Sequence, residues 1–234
     1  MRLIPLIPLQ NFRKAFITGL LILPVSLSAQ SQALYGGASL SASVEKELSR
    51  YFDLNVENEV RFFNNPIGFE RNVTDAGLDY SLFDRKFKIG VYYAFLYLYN
   101  DNRRFEARHR SYFNLSYKEI VGQWTFSWRG RWQITHRNES RGEYKINPKQ
   151  ILKNKFQIEY SIFGKPWKSF ISCDLYNDIN NPAGNYLSRI RYQGGVSWRL
   201  NRTDYVDFFA RYDRYADSRE PAFLSLGVSW KWKL

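Results

Sequence analysis

His109 and Ser111 lie two residues apart, the spacing at which side chains of an extended strand share a face. A histidine beside a serine is the pair that nucleophilic acyl chemistry uses, provided a third polar group orients the ring. The only other histidine is His136 and the only cysteine is Cys173. That excludes an intramolecular disulfide framework and a cysteine metal site, and leaves little room for a histidine-rich one. No cofactor is implied. The remaining residues able to do chemistry are charges that recur at every second position. They are Glu57, Glu59 and Arg61; Arg108 and Arg110; Arg129 and Arg131; Lys153, Lys155 and Glu159; and Arg189 and Arg191. On a shared face they would line a polar surface. With the bases concentrated between 108 and 199, that surface would favour anionic solutes.

The elements that must carry these residues alternate with period two. Trp124, Phe126, Trp128, Gly130, Trp132 and Ile134 fall on one face; Thr125, Ser127, Arg129, Arg131, Gln133 and Thr135 fall on the other. Such a segment is a strand with one apolar and one charged side. The stretches around 152–162, 189–200 and 224–234 repeat the pattern. Further strands are readable at about 38–48, 52–63, 73–82, 87–99, 106–118, 168–178 and 204–215. Two are less clean. Tyr92, Leu96 and Leu98 occupy the second face of 87–99, and 168–178 is ambiguous. No segment after residue 30 holds a 3.6-residue period over three turns.

Aromatic residues make up 18% of the 234 residues and the net charge is +12, while the mean hydropathy is negative. The polar average excludes a bundle of helical spans, each of which needs about 20 apolar residues. Arg2, Arg13 and Lys14 precede an apolar run from Ala15 to Leu27, followed by Ser28-Ala29, and no acid occurs before Glu45. This reads as a signal peptide over 1–29, with 30–234 as the mature domain; an N-terminal anchor is the alternative. Cleavage would leave 205 residues with a net charge of +9. In an exported chain the basic balance points to lipid headgroups and lipopolysaccharide rather than to nucleic acid.

Connections alternate in length. Short ones fall at 83–86, 119–122, 164–167 and 201–203; longer ones at 64–72, 100–105, 136–149, 179–186 and 216–221. Short turns at one end and long loops at the other, with strands of 10–13 residues, suit an outer-membrane barrel. Trp124, Tyr117, Trp167, Trp198, Trp230 and Trp232 lie near the short turns; Tyr97, Tyr99, Trp132 and Tyr212 lie near the long loops. Two aromatic bands around an aliphatic middle fit two membrane interfaces. The expected fold is an all-β, up-and-down antiparallel transmembrane β-barrel of ten to twelve strands. A soluble barrel or sandwich holding a hydrophobic ligand is the competing architecture. Eleven segments are readable, and two termini at the turn end require an even number. The short link at Ser49–Tyr51 also sets 38–48 out of phase. Either 38–48 lies outside the barrel, leaving ten strands, or a weak strand near Gln32–Gly37 makes twelve.

Four motifs carry a family resemblance: Glu57-x-Glu59-x-Arg61, Arg108-His109-Arg110, Arg129-Gly130-Arg131-Trp132-Gln133 and Gly227-Val228-Ser229-Trp230-Lys231. With the exported N-terminus they resemble DUF2490, a family of uncharacterised outer-membrane β-barrels common in Bacteroidota. The resemblance covers most of the mature chain. It implies location and fold but no activity.

If the apolar face meets lipid, the charged face lines the lumen. It then either pairs across strands as a polar core or walls a narrow, anion-leaning, porin-like passage. His109 and Ser111 share parity with Phe113, Leu115 and Tyr117 and so face lipid, an arrangement similar to that of outer-membrane phospholipases and lipid A deacylases. Hairpin arithmetic sets the pair against Trp128–Trp132 on one side and Phe95 on the other, and neither flank offers an outward acid or asparagine. The reading is therefore not an enzyme, with a lipid-modifying enzyme as the alternative. His136 is expected at a loop margin and Cys173 in the barrel wall. Arg71, Arg103, Arg104, Arg137, Arg141, Lys145, Lys149, Arg214 and Arg219 are expected in the long loops, solvated or against lipopolysaccharide phosphates. Expected partners are outer-membrane lipid, lipopolysaccharide and the barrel-assembly machinery of a Gram-negative bacterium. The oligomeric state is left open.

Overall fold

The computed structural model describes residues 33–63, 68–99, 104–137, 147–182, 184, 186–217 and 220–234. The chain divides into Met1–Ser31 and Gln32–Leu234; the first unit, and with it the expected signal peptide, lies outside the described residues. The second is all-β. Its strands are β1 (Leu34–Glu47), β2 (Phe52–Phe63), β3 (Phe69–Leu82), β4 (Phe87–Tyr99), β5 (Phe105–Val121), β6 (Trp124–Arg137), β7 (Lys149–Ser161), β8 (Trp167–Asp178), β9 (Tyr186–Arg199), β10 (Asp204–Tyr215) and β11 (Ala222–Lys233).

Each strand pairs antiparallel with the next, and β1 closes the ring against β11 in parallel. An odd number of up-and-down strands forces one parallel seam, because the first and last then run the same way. This corrects the even count and the wholly antiparallel ring. The 38–48 segment is paired within the barrel as part of β1, and Leu34–Gly37 is the start of that strand rather than a twelfth. The Leu48–Tyr51 link is a short turn in phase with the others. What changes is the start of β1, which sits at the loop end, while β11 finishes at the turn end. Backbone bonds from Glu47 N to Leu234 O and from Leu234 N to Glu45 O lock the seam there.

Alternation sorts the side chains. Outward residues include Leu40, Val56, Leu78, Val91, Phe113, Ile171, Phe208 and Leu226, all exposed. Several polar groups on that face are bonded locally. Trp128 Nε1 donates to Asn154 Oδ1 at 3.2 Å, and Asn58 Nδ2 donates to Asn72 and Thr74 at 2.9 and 2.8 Å. Tyr117, expected in an aromatic band, is instead buried under Phe87, and its hydroxyl donates to Glu119 Oε2 at 2.7 Å.

The interior is polar but packed. Ala94, Leu96 and Tyr112 form its one apolar cluster among the described residues, with Val73 and Tyr92 against it. The second apolar face of β4 is thus explained. Where rings must lie flat on the inner wall, the neighbouring strand carries glycine. A Cβ on Gly227 would come within 2.2 Å of the Phe209 ring, and one on Gly77 within 2.2 Å of the Tyr92 ring. Gly36, on the outer face, has nothing within 4 Å of such a Cβ.

Gly227→Val should therefore destabilise the barrel by roughly 1–3 kcal/mol through overpacking, whereas Gly36→Val should be close to neutral. Unfolding temperatures read from unboiled gel samples check both; equal shifts would contradict the close approach at Gly227.

Candidate functional site

All twelve charged residues named from the sequence face the barrel interior, and they separate into three groups. The first is ion-paired across strands. Glu59 accepts from Arg211 Nη1 and lies against Arg61 Nη2, both at 3.0 Å. Arg191 grips Asp213 with Nε and, at 2.9 Å, Nη2. Lys153 Nζ sits 2.9 Å from Asp174 Oδ2. These groups are nearly solvent-free: Asp213 is 1% exposed, Asp174 3%, Arg61 5% and Arg191 6%. Charges lining an open aqueous channel would be wetted. The interior is therefore filled at this level.

The second group is held by rings and neutral side chains, except Arg108, which pairs with Glu106 on its own strand. The Arg189 guanidinium stacks 3.8 Å from the centroid of Tyr176, whose ring also lies near Lys153 and Arg191. Arg131 lies 3.8 Å from the Tyr112 centroid and donates from Nε to Asn114 Oδ1 at 2.8 Å. A guanidinium over an aromatic face is attracted by the ring quadrupole. Arg110 donates to Thr135 Oγ1 at 3.1 Å, Arg108 grips Glu106, and Glu159 accepts from Gln157 at 2.6 Å.

The third group faces open space. Glu57, Arg129 and Lys155 line a cavity of about 490 Å³ in the half of the interior nearer the short turns. Its rim is ion-paired: Lys88 binds Asp53 at 2.8 Å, Lys233 binds Glu45 at 2.8 Å, and Lys231 binds Asp207. Toward the loop end the ionic layer gives way to inward rings, with Phe63 5.4 Å from Phe223 and 5.6 Å from Tyr35.

Several interior residues escaped the sequence reading. Asp174, Tyr176 and Asp178 sit on β8, where apolar residues on both faces hid the period. They also place further acids in the middle of the chain, where bases were expected to predominate with Glu159 among them. Asp213 shares the parity of Asp207 and Arg211 and could have been read from it. Asp75 and Lys88 share the parity of their inward neighbours Asp79 and Tyr92.

The outward pair departs from expectation in its surroundings. His109 lies opposite His136 and Ser111 opposite Ile134, while Phe95 flanks His109 as expected. The Trp128–Trp132 placement is wrong because the β5–β6 turn is Gly122-Gln123, about two residues later than the expected 119–122, so paired residue numbers sum to 245. The histidine does have a polar partner, the Tyr93 hydroxyl at 2.5 Å from Nδ1. His136 is the second-last residue of β6, at the margin of the long loop. Cys173 is in the wall, half-buried. Of the bases expected in the long loops, Arg71, Arg137, Lys149 and Arg214 belong to strands, and Lys149 pairs with Asp178 at 2.8 Å. Arg104 immediately precedes β5. Arg103, Arg141, Lys145 and Arg219 lie outside the described residues. No group of three or more potential metal-ligating side chains occurs among the described residues.

Asp213→Asn should leave the Arg191 guanidinium buried without its counter-charge, at a cost of about 3–5 kcal/mol. Replacing the pair together, Arg191→Met with Asp213→Leu, should cost less than the single change. Urea midpoints of the refolded proteins decide this; a silent Asp213→Asn would show that the pair is solvated.

No curated protein matches the chain. The model of the family described as a protein of unknown function, DUF2490, matches residues 37–221, from the third residue before Leu40 in β1 to the residue before β11. With a match across nearly the whole barrel, the chain belongs to the DUF2490 family.

Proposed function

We propose that this chain is an integral outer-membrane β-barrel, not an enzyme, whose lumen is closed at its middle and opens as a pocket at the turn end. The observation that carries the reading is the inverted polarity. Large apolar side chains ring the exposed outer surface, while buried Asp, Arg and Lys fill the inside. Water would leave that outer surface unsatisfied as one continuous apolar patch; a bilayer suits it, and a closed ring has no unpaired edge to bury in hydrocarbon. The strands, of 12 to 17 residues, are long enough to span at a tilt. Trp124, Trp198, Trp230 and Trp232 stand outward near the turns, at the level of one interface.

Within that setting the charged layer acts as a polar core rather than a conduit. Three ion-paired groups and the Tyr176 stack occupy the middle, and an ion crossing it would have to break contacts between nearly solvent-free charges. The second reading, a narrow anion-leaning passage, draws on Arg110, Arg129, Arg131, Lys155 and Arg189. None of these forms an ion pair among the described residues. Their positions on β5, β6, β7 and β9 would make any leak anion-selective. Turns facing the periplasm and loops facing outward follow the usual orientation of such barrels.

Two measurements on one preparation test the proposal. Membrane-extracted protein should migrate as a compact band that shifts on boiling, and extraction without detergent would overturn the membrane placement. In planar bilayers the pure folded protein should give no steps above background. Steady anion-selective steps would replace the closed-lumen reading with the passage.

A further inference from the structure

The charges that face the turn-end cavity are arranged in a way stability alone does not favour. Glu57 stands directly opposite Asp75 across the β2–β3 pair, and Arg129 directly opposite Lys155 across β6–β7. Like charges placed opposite one another repel. Elsewhere in the same interior, like charges that stand opposite are relieved by a third residue: Asp53 faces Asp79 with Lys88 on Asp53, and Arg61 faces Arg71 with Glu59 on Arg61. Around the cavity the groups without such a contact are segregated, Glu57 and Asp75 on one wall and Arg129 and Lys155 on another; Glu159, on the second wall, is bonded by Gln157. The rim charges Lys88, Lys231 and Lys233 are already satisfied by Asp53, Asp207 and Glu45. Deeper in, Glu57, Arg129 and Lys155 form no ion pair and no hydrogen bond among the described residues. Asp174, across from Lys155 in the register, is held by Lys153 instead. Among the described residues Asp75 accepts only from the Tyr112 hydroxyl, at 2.9 Å. Arg131 adds a third cation beside Arg129, stacked on Tyr112.

The two walls lie four strands apart in a ring of eleven, close to opposite one another. Strands about 4.8 Å apart and tilted about 40° close a backbone cylinder roughly 20 Å across. Side chains reaching in from both sides leave on the order of 10 Å, the span of about three extended residues. The volume, about 490 Å³, is within the range of small-molecule sites.

We infer that the turn-end cavity binds a small zwitterion of short-peptide size, its ammonium on Glu57 and Asp75 and its carboxylate on Arg129 and Lys155. Two separated charges of opposite sign satisfy both walls at once. An anion alone would leave Glu57 and Asp75 facing each other without a counter-charge, and a cation alone would do the same to Arg129 and Lys155. Gln157, beside Lys155 on β7, has its Nε2 on Glu159 and leaves its amide oxygen to accept from a peptide N–H. The inference rests on the closed-lumen reading, because a blind cavity retains a solute that an open pore would pass.

Triglycine is the probe, compared with N-acetyltriglycine, which lacks the ammonium, and triglycine amide, which lacks the carboxylate. Titration calorimetry on the detergent-folded full barrel should show triglycine binding and at least a tenfold loss with either cap. Glu57→Gln should erase the penalty for acetylation and keep that for amidation; Arg129→Gln should do the reverse. Both positions border open space, so the variants should keep the heat-shifted band of the parent. Acetylated peptide binding as tightly as triglycine would make this an anion site and overturn the inference, as would no binding of triglycine at millimolar concentration. Bilayer recordings on the same protein report separately on closure. A conducting barrel fails the closed-lumen reading, whereas a silent barrel that ignores triglycine fails only the zwitterion site.

Discussion

From Leu34 against Ala222 to Glu45 against Lys233, the first strand is hydrogen-bonded to the last. Without that seam, β1 and β11 would each expose a full row of unpaired N–H and C=O groups, a template for aggregation in water and prohibitive in hydrocarbon. Closing it fixes everything else. With eleven strands the seam must be parallel, so the start of β1 is carried to the loop end. Closure also fixes parity: once one inward residue is known, the pleat assigns the others around the ring, except past the register shifts at Arg61/Phe62 and Tyr176/Asn177. The charged face of each strand is thereby committed to a shared interior, whether or not its charges match.

How that interior is filled depends on height. Near the loops it is aromatic, through Tyr35, Phe63 and Phe223. Beside and below these rings it is ionic, with Arg191 on Asp213, which stands opposite Phe223, and with Glu59 between Arg61 and Arg211. Near the turns it opens. A ring of this size holds too much space for aliphatic side chains alone, and long Arg and Lys side chains fill it while reaching partners on other strands. Burial of these pairs is weak evidence for stability in itself, because desolvation offsets much of their attraction. Their effect is to specify: each guanidinium fits one carboxylate, which holds the packing of the middle in a single arrangement.

Much of this was legible in the sequence. Alternation at 124–135 gave β6 its two faces, and Arg129 and Arg131 do point inward. Loop lengths gave the two ends. Eleven segments were readable and eleven strands form, within the expected ten to twelve; the even number failed because both termini were assumed to share an end, a property of even barrels that an odd ring does not have. Asp174 and Tyr176 were lost because Phe170, Ile171, Leu175 and Tyr176 blur the period of β8. The packed middle has no sequence signature at all: that Arg189 stacks on Tyr176, or that Asp174 takes Lys153 and leaves Lys155, depends on register between strands. The same holds for the cavity. Segregation of Glu57 and Asp75 from Arg129 and Lys155 becomes visible only when the pairings are known. The hairpin arithmetic for His109 erred by about five residues in the sum for the same reason.

Spin labels placed singly along β11, from Leu224 to Trp232, would read the inverted barrel and its closed middle together. In lipid bilayers, labels at Leu224, Leu226, Val228 and Trp230 should relax with dissolved oxygen and ignore a water-soluble nickel reagent. A label at Ser225, buried in the packed layer, should respond to neither, and one at Lys231 should respond to nickel through the turn-end cavity. Nickel access at the even positions would contradict a lipid-facing exterior, and nickel access at Ser225 would contradict a closed lumen.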